Sequence, residues 1–283
     1  MTLGVKNAST PQTFWCDDIM AFAVHGGAGR ARDDRGVLNA LEKALGIGIN
    51  LARAGEPVKA VVEALAYMEE TGLFNAGRGS VPNREGKVEM DAGVMDGKTM
   101  KVGAVGAVVC RSPIRAALNV MLNTPHVLIV GNTGTIASPG QDGNDTIGAV
   151  ASTSEGWFAA ASTTGGIREK LPGRVGDAAV AGAGFYAMNG SGAIALTGIG
   201  EQNMAVLTAF RAVNMMKETN SLEALKNSFT YIRSVLGKVN QGGIAIDSRL
   251  GIGIYHTEPQ MPACAINGTG KICKMNFGQG LLL

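Results

Sequence analysis

The chain of 283 residues has few aromatic side chains, few charges and few cysteines. Aromatic residues make up 5% of it and charged residues 17%, and the formal net charge is +2. No block of lysine and arginine stands out, which argues against nucleic acid as a partner. Residues 1–20 lack the basic and apolar regions of a secretory signal. We therefore expect a cytoplasmic protein.

Cysteine and histidine are too scattered to predict a metal site. The three histidines are far apart in sequence, and the four cysteines form no CxxC pair, so free thiols are expected at Cys16, Cys110, Cys264 and Cys273. A long uncharged run over 178–200 contains six glycines, which favours two short buried elements over a membrane span.

Glycine is the abundant residue, with 41 copies, about double the usual share of roughly 7%. With so few aromatics, this composition indicates tight turns and closely packed sheets. An apolar content of 46% is ordinary for a globular protein. No linker or internal repeat divides the chain, so we expect a single domain over 1–283.

Predicted strands and helices both come in pairs. Hairpins are expected over 87–110, 146–164 and 243–256, and helices over 57–72, 113–122, 201–218 and 221–236, with a further helix beginning at Asp33 or Asp34. Residues 131–145 have the composition of a loop. Pairing rather than strict alternation predicts an α+β fold, in which two stacked, mainly antiparallel sheets lie between helical layers in an αββα sandwich.

The dipeptide Asp145-Thr146 carries the strongest chemical signal. If residues 146–164 form a hairpin that turns at Glu155, Thr146 and Thr164 face each other, nine positions from the turn on either side. On geometry alone these are ordinary strand threonines. If the bond before Thr146 is cut, however, its free α-amine, with a pKa of about 7.7–8.0, can act as the base for its own hydroxyl.

A series of motifs extends through residues 21–257. In order they are HGGAG at 25–29, GLFNAGRGSV at 72–81, MDAGVMDG at 90–97, Asp145 through GRVGD at 173–177, GAGFYA at 182–187, TGIGE at 197–201 and GGIAID at 242–247. Together they resemble the plant-type L-asparaginase and isoaspartyl aminopeptidase family. These enzymes are threonine-dependent hydrolases with the N-terminal-nucleophile fold.

The resemblance implies a set of catalytic residues. Thr146 becomes the nucleophile and the new N-terminus, so that the chain separates into 1–145 and 146–283. Thr164 supports the hydroxyl of Thr146. Thr197 and the backbone N–H of Gly198 form an oxyanion hole for the charge that develops on the attacked carbonyl. No cofactor is implied for the chemistry.

The resemblance also implies how the substrate is bound. Arg174 grips the α-carboxylate and Asp177 holds the α-ammonium, since a guanidinium fork and a nearby carboxylate suit a zwitterion. Taken alone, this pair could equally brace a loop. Gly198 and Gly200 line the pocket with Ile199 between them, where the family usually has Thr or Asn, which leaves the leaving-group preference open.

A structural sodium ion is a further implication of the resemblance. Its site is expected in a loop that also carries Asn75, a predicted substrate-binding residue. Backbone carbonyl oxygens suit a hard cation, although they leave no side-chain signature. The carbonyls expected to bind it belong to Met68, Glu69, Thr71, Phe74, Ala76 and Arg78.

Two departures concern the cleavage site. Only fourteen residues separate Gly131 from Thr146, where the family has a much longer linker. Asp145 replaces the glycine common in plant-type proteins, and NDTIG here resembles the HDTIG block of glycosylasparaginases.

The leading hypothesis is a self-cleaving amidohydrolase for L-asparagine and β-aspartyl dipeptides, assembled as a homodimer of cleaved protomers. A glycosylasparaginase-like amidase and an uncleaved, non-catalytic amino-acid-binding relative are the alternatives. A nucleotide-binding module is disfavoured because the glycines form no GxxxxGK[ST] motif.

Overall fold

The computed structural model describes residues 20–29, 34–131 and 146–283. The strands are β1 (Ala21–His25), β2 (Met90–Asp96), β3 (Val102–Val108), β4 (Leu128–Val130), β5 (Ile147–Ser152), β6 (Phe158–Thr164), β7 (Phe185–Met188), β8 (Gly192–Gly198), β9 (Gln241–Asp247), β10 (Ile252–His256), β11 (Ala263–Asn267), β12 (Gly270–Lys274) and β13 (Leu281–Leu282). The helices are α1 (Asp34–Arg53), α2 (Pro57–Thr71), α3 (Pro113–Asn123), α4 (Gly200–Val206), α5 (Thr208–Met215) and α6 (Ser221–Leu236). Asp33, Asp145 and most of the predicted loop over 131–145 lie outside the described residues.

The strands form two sheets. The larger has eight strands in the order β12-β11-β1-β5-β6-β2-β3-β4, and the smaller has five in the order β13-β10-β9-β8-β7. All described pairs of strands are antiparallel except β3 with β4. The prediction of two mainly antiparallel sheets is therefore confirmed.

Three apolar layers hold the sandwich together. Side chains such as Phe22, Leu41 and Leu65 pack between helices α1–α3 and the larger sheet. Alanine and isoleucine side chains, with Phe185, fill the space between the two sheets. A third cluster around Phe229 joins α5 and α6 to the smaller sheet. The αββα order follows, because each helical layer covers the outer face of one sheet.

Local signals explain several helix boundaries. Pro57 occupies the first turn of α2 and Gly72 ends that helix with a positive φ, as the sequence predicts. Asn220 caps α6 by accepting a hydrogen bond from the backbone N–H of Glu223. The helix predicted over 201–218 is broken into α4 and α5 at Leu207, which has a left-handed conformation.

The central hairpin has the predicted register. Ile147 pairs with Thr163 and Ser152 with Phe158, so the same register continued by one residue sets Thr146 opposite Thr164. The hairpin is flanked by β1 on one side and β2 on the other. Both threonines therefore lie at the same end of two central strands that are paired on both sides.

The expectation of free thiols is wrong for two of the four cysteines. Cys264 on β11 and Cys273 on β12 are paired residues and form a disulfide. The sequence motifs end before residue 258, so none of them indicates this hairpin. Cys110 is a free, buried thiol as expected, and Cys16 lies outside the described residues.

Candidate active site

A cavity of about 330 Å³ opens where β5, β6 and β8 reach the same end of the sandwich. Its lining includes the predicted residues Thr146, Thr164, Arg174, Asp177, Thr197, Gly198 and Gly200. These residues come from separate parts of the sequence, and the fold brings them to one place. No group of three or more potential metal-binding side chains occurs among the residues that the structure describes.

Two threonine hydroxyls lie at the cavity floor. Thr146 is 9% exposed and Thr164 is 2% exposed. The hydroxyl oxygen of Thr164 accepts a hydrogen bond from the backbone N–H of Gly166 at 3.0 Å. The proton of that hydroxyl is then available for another acceptor, and Thr146 is the facing residue in the register of the hairpin.

Asn75 lies behind this floor rather than in the cavity lining. Its Nδ2 donates to the carbonyl of Gly166 at 2.6 Å, and its Oδ1 accepts from the backbone N–H of Val81 at 3.0 Å. The carbonyl of Asn75 also accepts from the N–H of Gly165. Asn75 therefore fixes the turn that follows Thr164, and direct contact with a substrate stays a prediction.

The HGGAG loop packs against the end of β8. The backbone N–H of Ala28 donates to the hydroxyl oxygen of Thr197 at 3.3 Å, which leaves the Thr197 proton to donate elsewhere. Burial lowers the pKa of His25 to about 3, so its ring is neutral, and its Nδ1 accepts from the N–H of Gly27. A side chain at Gly198, where φ is +127°, would overlap the carbonyl oxygen of Asn240.

Arg174 is oriented by a residue that the sequence analysis did not identify. Its Nε and Nη2 donate to Oε1 of Glu201 at 3.0 and 2.8 Å. Among the described residues, Arg174 makes no ion pair with Asp177. The structure therefore does not contain an Arg174–Asp177 ion pair that braces the loop. Instead Glu201, at the start of α4, holds the guanidinium at the cavity wall.

Asp177 is held by a buried amide. Asn203 Nδ2 donates to Asp177 Oδ2 at 2.8 Å and to Oε1 of Gln241 at 2.9 Å. Burial raises the pKa of Asp177 to about 6, although the Asn203 hydrogen bond and the charge of Arg174 oppose the rise. An incoming ammonium would favour the ionised carboxylate. The Asp177 carboxylate is thus suited to pair with a cationic group in the cavity.

A second buried carboxylate supports the loop that carries Arg174 and Asp177. Asp91 is fully buried and accepts from the backbone N–H groups of Ala107 and Gly176, both at 2.9 Å. Burial raises the pKa of Asp91, and the charge of Lys170 opposes that rise. The Lys170 ammonium, itself buried, donates to the carbonyl of Glu89 at 2.6 Å. These contacts fix the loop through Asp91 and Lys170, neither of which lines the cavity.

The predicted sodium loop joins the end of α2 to a 3-10 turn at Gly77–Gly79. A Cβ built on Gly79 would overlap the carbonyl oxygen of Phe74 and lie 2.9 Å from that of Gly72. The carbonyls of Phe74 and Ala76 each accept one backbone hydrogen bond, so each keeps a second lone pair. A carbonyl oxygen with a spare lone pair suits a hard cation, so Phe74 and Ala76 fit the expected site.

Comparison with known proteins supplies the family context. A family model described as asparaginase matches residues 19–138 and 133–274. The chain is 38% identical to the plant-type L-asparaginase of Pyrobaculum calidifontis, over 82% of this chain and 91% of that protein. It is 36% identical to the isoaspartyl peptidase/L-asparaginase of Bos taurus, over 90% and 96%, and 37% identical to the isoaspartyl peptidase of Salmonella typhimurium, over 69% and 78%.

Proposed function

Because the chain belongs to the asparaginase family, we propose that it hydrolyses the side-chain amide of L-asparagine and the isopeptide bond of β-aspartyl dipeptides. The observation that carries the proposal is the single cavity shared by Thr146, Arg174 and Asp177. Arg174 and Asp177 suit the two charged α groups of an amino acid, and Thr146 can then attack the carbonyl of its side chain.

We propose that the precursor first cuts itself. The Thr146 hydroxyl oxygen attacks the carbonyl of Asp145, the peptide nitrogen is released as the α-amine of Thr146, and water hydrolyses the ester left behind. The products are segments 1–145 and 146–283. Thr146 then carries a base and a nucleophile in one residue.

In the catalytic cycle, the Thr146 amine takes the hydroxyl proton while the oxygen attacks the side-chain carbonyl carbon. Thr197 and the N–H of Gly198 stabilise the resulting oxyanion. The carbon–nitrogen bond breaks, the leaving nitrogen takes the proton, and an ester on Thr146 remains. Water, deprotonated by the same amine, hydrolyses this ester and releases aspartate.

Intact mass and ammonia release test both steps. Purified protein should give two fragments, the second beginning at Thr146, and should release ammonia from asparagine. Thr146→Ala should stay one chain. The control variant is Thr153→Ala, which changes a buried threonine at the turn of the same hairpin. This variant should still be cut. Wild-type protein that stays whole and releases no ammonia would refute the proposal, and an N-glycosylated asparagine in the substrate panel tests the glycosylasparaginase alternative.

We further propose a structural sodium ion in the loop from Met68 to Arg78. The ion would bind the carbonyl oxygens named above and stiffen the segment that carries Asn75, with no direct part in the chemistry. The melting temperature should then be higher in sodium chloride than in tetramethylammonium chloride of equal ionic strength. Equal melting temperatures in the two salts would argue against the site.

A homodimer of cleaved protomers in the cytoplasm stays a prediction. No helix in the described part of the chain is long and apolar enough to cross a membrane. The Cys264–Cys273 bridge makes location worth measuring, since disulfides persist mainly in oxidising compartments. Light scattering of the cleaved protein and fractionation of the source cells would decide the two points.

A further inference from the structure

The cavity contains a carboxylate that the proposed reaction does not use. Among the described residues that line it, the ionisable side chains are Arg174, Asp177 and Glu258. Glu258 follows β10 and is partly exposed. Its Oε1 accepts a hydrogen bond from Nδ2 of Asn240 at 2.6 Å, and Asn240 also lines the cavity. A neutral amide holds this carboxylate in place without cancelling its charge.

Glu258 and the zwitterion-binding pair are associated with different ends of one wall. At one end, a Cβ on Gly200 would lie 2.7 Å from Oδ1 of Asp177 and 3.2 Å from Nη2 of Arg174. At the other, a Cβ on Gly198 would overlap the backbone carbonyl oxygen of Asn240, whose side-chain amide donates to Glu258. In the lining segment from Gly198 to Gly200, Gly200 is thus next to Asp177 and Gly198 is next to Asn240, the partner of Glu258.

The direction of the substrate follows if the proposed function is correct. Its α-ammonium and α-carboxylate lie against Asp177 and Arg174, and its side-chain carbonyl reaches Thr146. The nitrogen that leaves, and whatever is attached to it, must then point away from the α groups. That places the leaving group at the end of the cavity lined by Glu258.

We propose that Glu258 selects leaving groups by charge. Ammonia and amino acids with neutral or basic side chains are favoured, and β-aspartyl dipeptides that end in an acidic residue are disfavoured by repulsion from the Glu258 carboxylate. The α-carboxylate common to all such dipeptides experiences the same repulsion, so asparagine is favoured over dipeptides as a class. Among the described residues of the lining, Glu258 is the ionisable side chain outside the Arg174 and Asp177 pair, so its charge sets the specificity on this side.

The test uses two matched substrates, β-aspartyl-glutamine and β-aspartyl-glutamate, which differ in charge and hardly in shape. For the cleaved wild-type protein, kcat/KM should be about fivefold higher for the glutamine dipeptide, the effect expected of one charge pair across a partly hydrated cavity. Glu258→Gln keeps an oxygen for Asn240 and should abolish this ratio. Glu258→Lys should invert it.

Two controls separate the possible failures. Glu223→Gln removes an exposed carboxylate on α6, paired with Lys226, and should leave the wild-type ratio unchanged. Asparagine, whose leaving group carries no carboxylate, is the reference substrate: Glu223→Gln should hydrolyse it as the wild type does, and kcat/KM for asparagine is measured for each Glu258 variant beside the two dipeptides. Normal asparagine hydrolysis with equal dipeptide ratios in wild type and Glu258→Gln overturns the role of Glu258 alone. If no substrate is hydrolysed, the proposed function fails and this inference fails with it.

Discussion

Replacing Asn203 with leucine should change how activity depends on pH. Asn203 is fully buried, and its Nδ2 donates to the Asp177 carboxylate at 2.8 Å. Leucine keeps the approximate volume but cannot donate. Since the hydrogen bond favours the ionised form of Asp177, its loss should raise the Asp177 pKa above the present value of about 6.

The size of the shift follows from the strength of the bond. A hydrogen bond to a charged group contributes about 1.5–3 kcal/mol, and one pKa unit corresponds to about 1.4 kcal/mol. The Asp177 pKa should therefore rise by about one to two units. In the proposed role, Asp177 binds the substrate ammonium only when it is ionised, so activity should be retained above the pKa and lost as the pH falls through it.

The assay is kcat/KM for asparagine across about pH 5 to 9, which reports groups of the free enzyme. The ratio of wild type to Asn203→Leu should be near one at high pH. It should then grow as the pH falls, reaching a plateau of about 10- to 100-fold below the wild-type pKa. The α-amine that the proposed cleavage gives to Thr146 would titrate in both proteins and would cancel in the ratio.

A matched control is Asn214→Ala on α5, which removes a side-chain amide that donates to the carbonyl of Phe210 on the protein surface. Its pH profile should follow that of the wild type. A ratio for Asn203→Leu that is the same at every pH would indicate general damage to the site. That result would refute the link between Asn203 and the Asp177 pKa.

Three further predictions concern the surroundings of the site. Burial raises the Glu69 pKa from 4.5 to about 7. Because the folded protein then binds the Glu69 proton more tightly than the unfolded chain does, the free energy of unfolding should fall by on the order of 3 kcal/mol as the pH rises through this interval. Urea unfolding should show that fall in the wild type and not in Glu69→Gln; parallel curves would contradict it. Glu201→Gln should raise KM for asparagine about threefold with little change in kcat, because Arg174 loses a charged partner that orients it; an unchanged KM would count against this role. The double variant Cys264→Ser, Cys273→Ser should have a free energy of unfolding lower by about 2–3 kcal/mol and an unaltered kcat/KM. Dithiothreitol should destabilise the wild type and not this variant. Equal destabilisation of both proteins by dithiothreitol would exclude the disulfide as the cause.

Local rules predicted the parts of the fold that depend on neighbouring residues. Pro57 and Gly72 marked the ends of α2, and the symmetry of the segment about Glu155 gave the register of the central hairpin. The break at Leu207 escaped prediction because neither glycine nor proline occurs there. The hairpin β11–β12 was missed because no motif extended that far.

The candidate site shows the same division. Thr146, Arg174 and Asp177 lie in recognisable motifs, and the structure places them in one cavity. Asn203 and Glu258 lie in no pattern that points to a site. Their partners are 26 residues away for Asn203 and 18 for Glu258, so only the folded arrangement reveals what they contact.

The strand order of the larger sheet has a consequence for handling the protein. Strands from residues before Thr146 and strands from residues after it interleave: β12 and β11, then β1, then β5 and β6, then β2, β3 and β4. A break before Thr146 cuts the backbone but leaves every one of these pairings intact. The two pieces should therefore migrate as one particle until a denaturant separates them. Made separately, each would expose unpaired strand edges and tend to aggregate, so the whole chain would have to fold before the proposed cut.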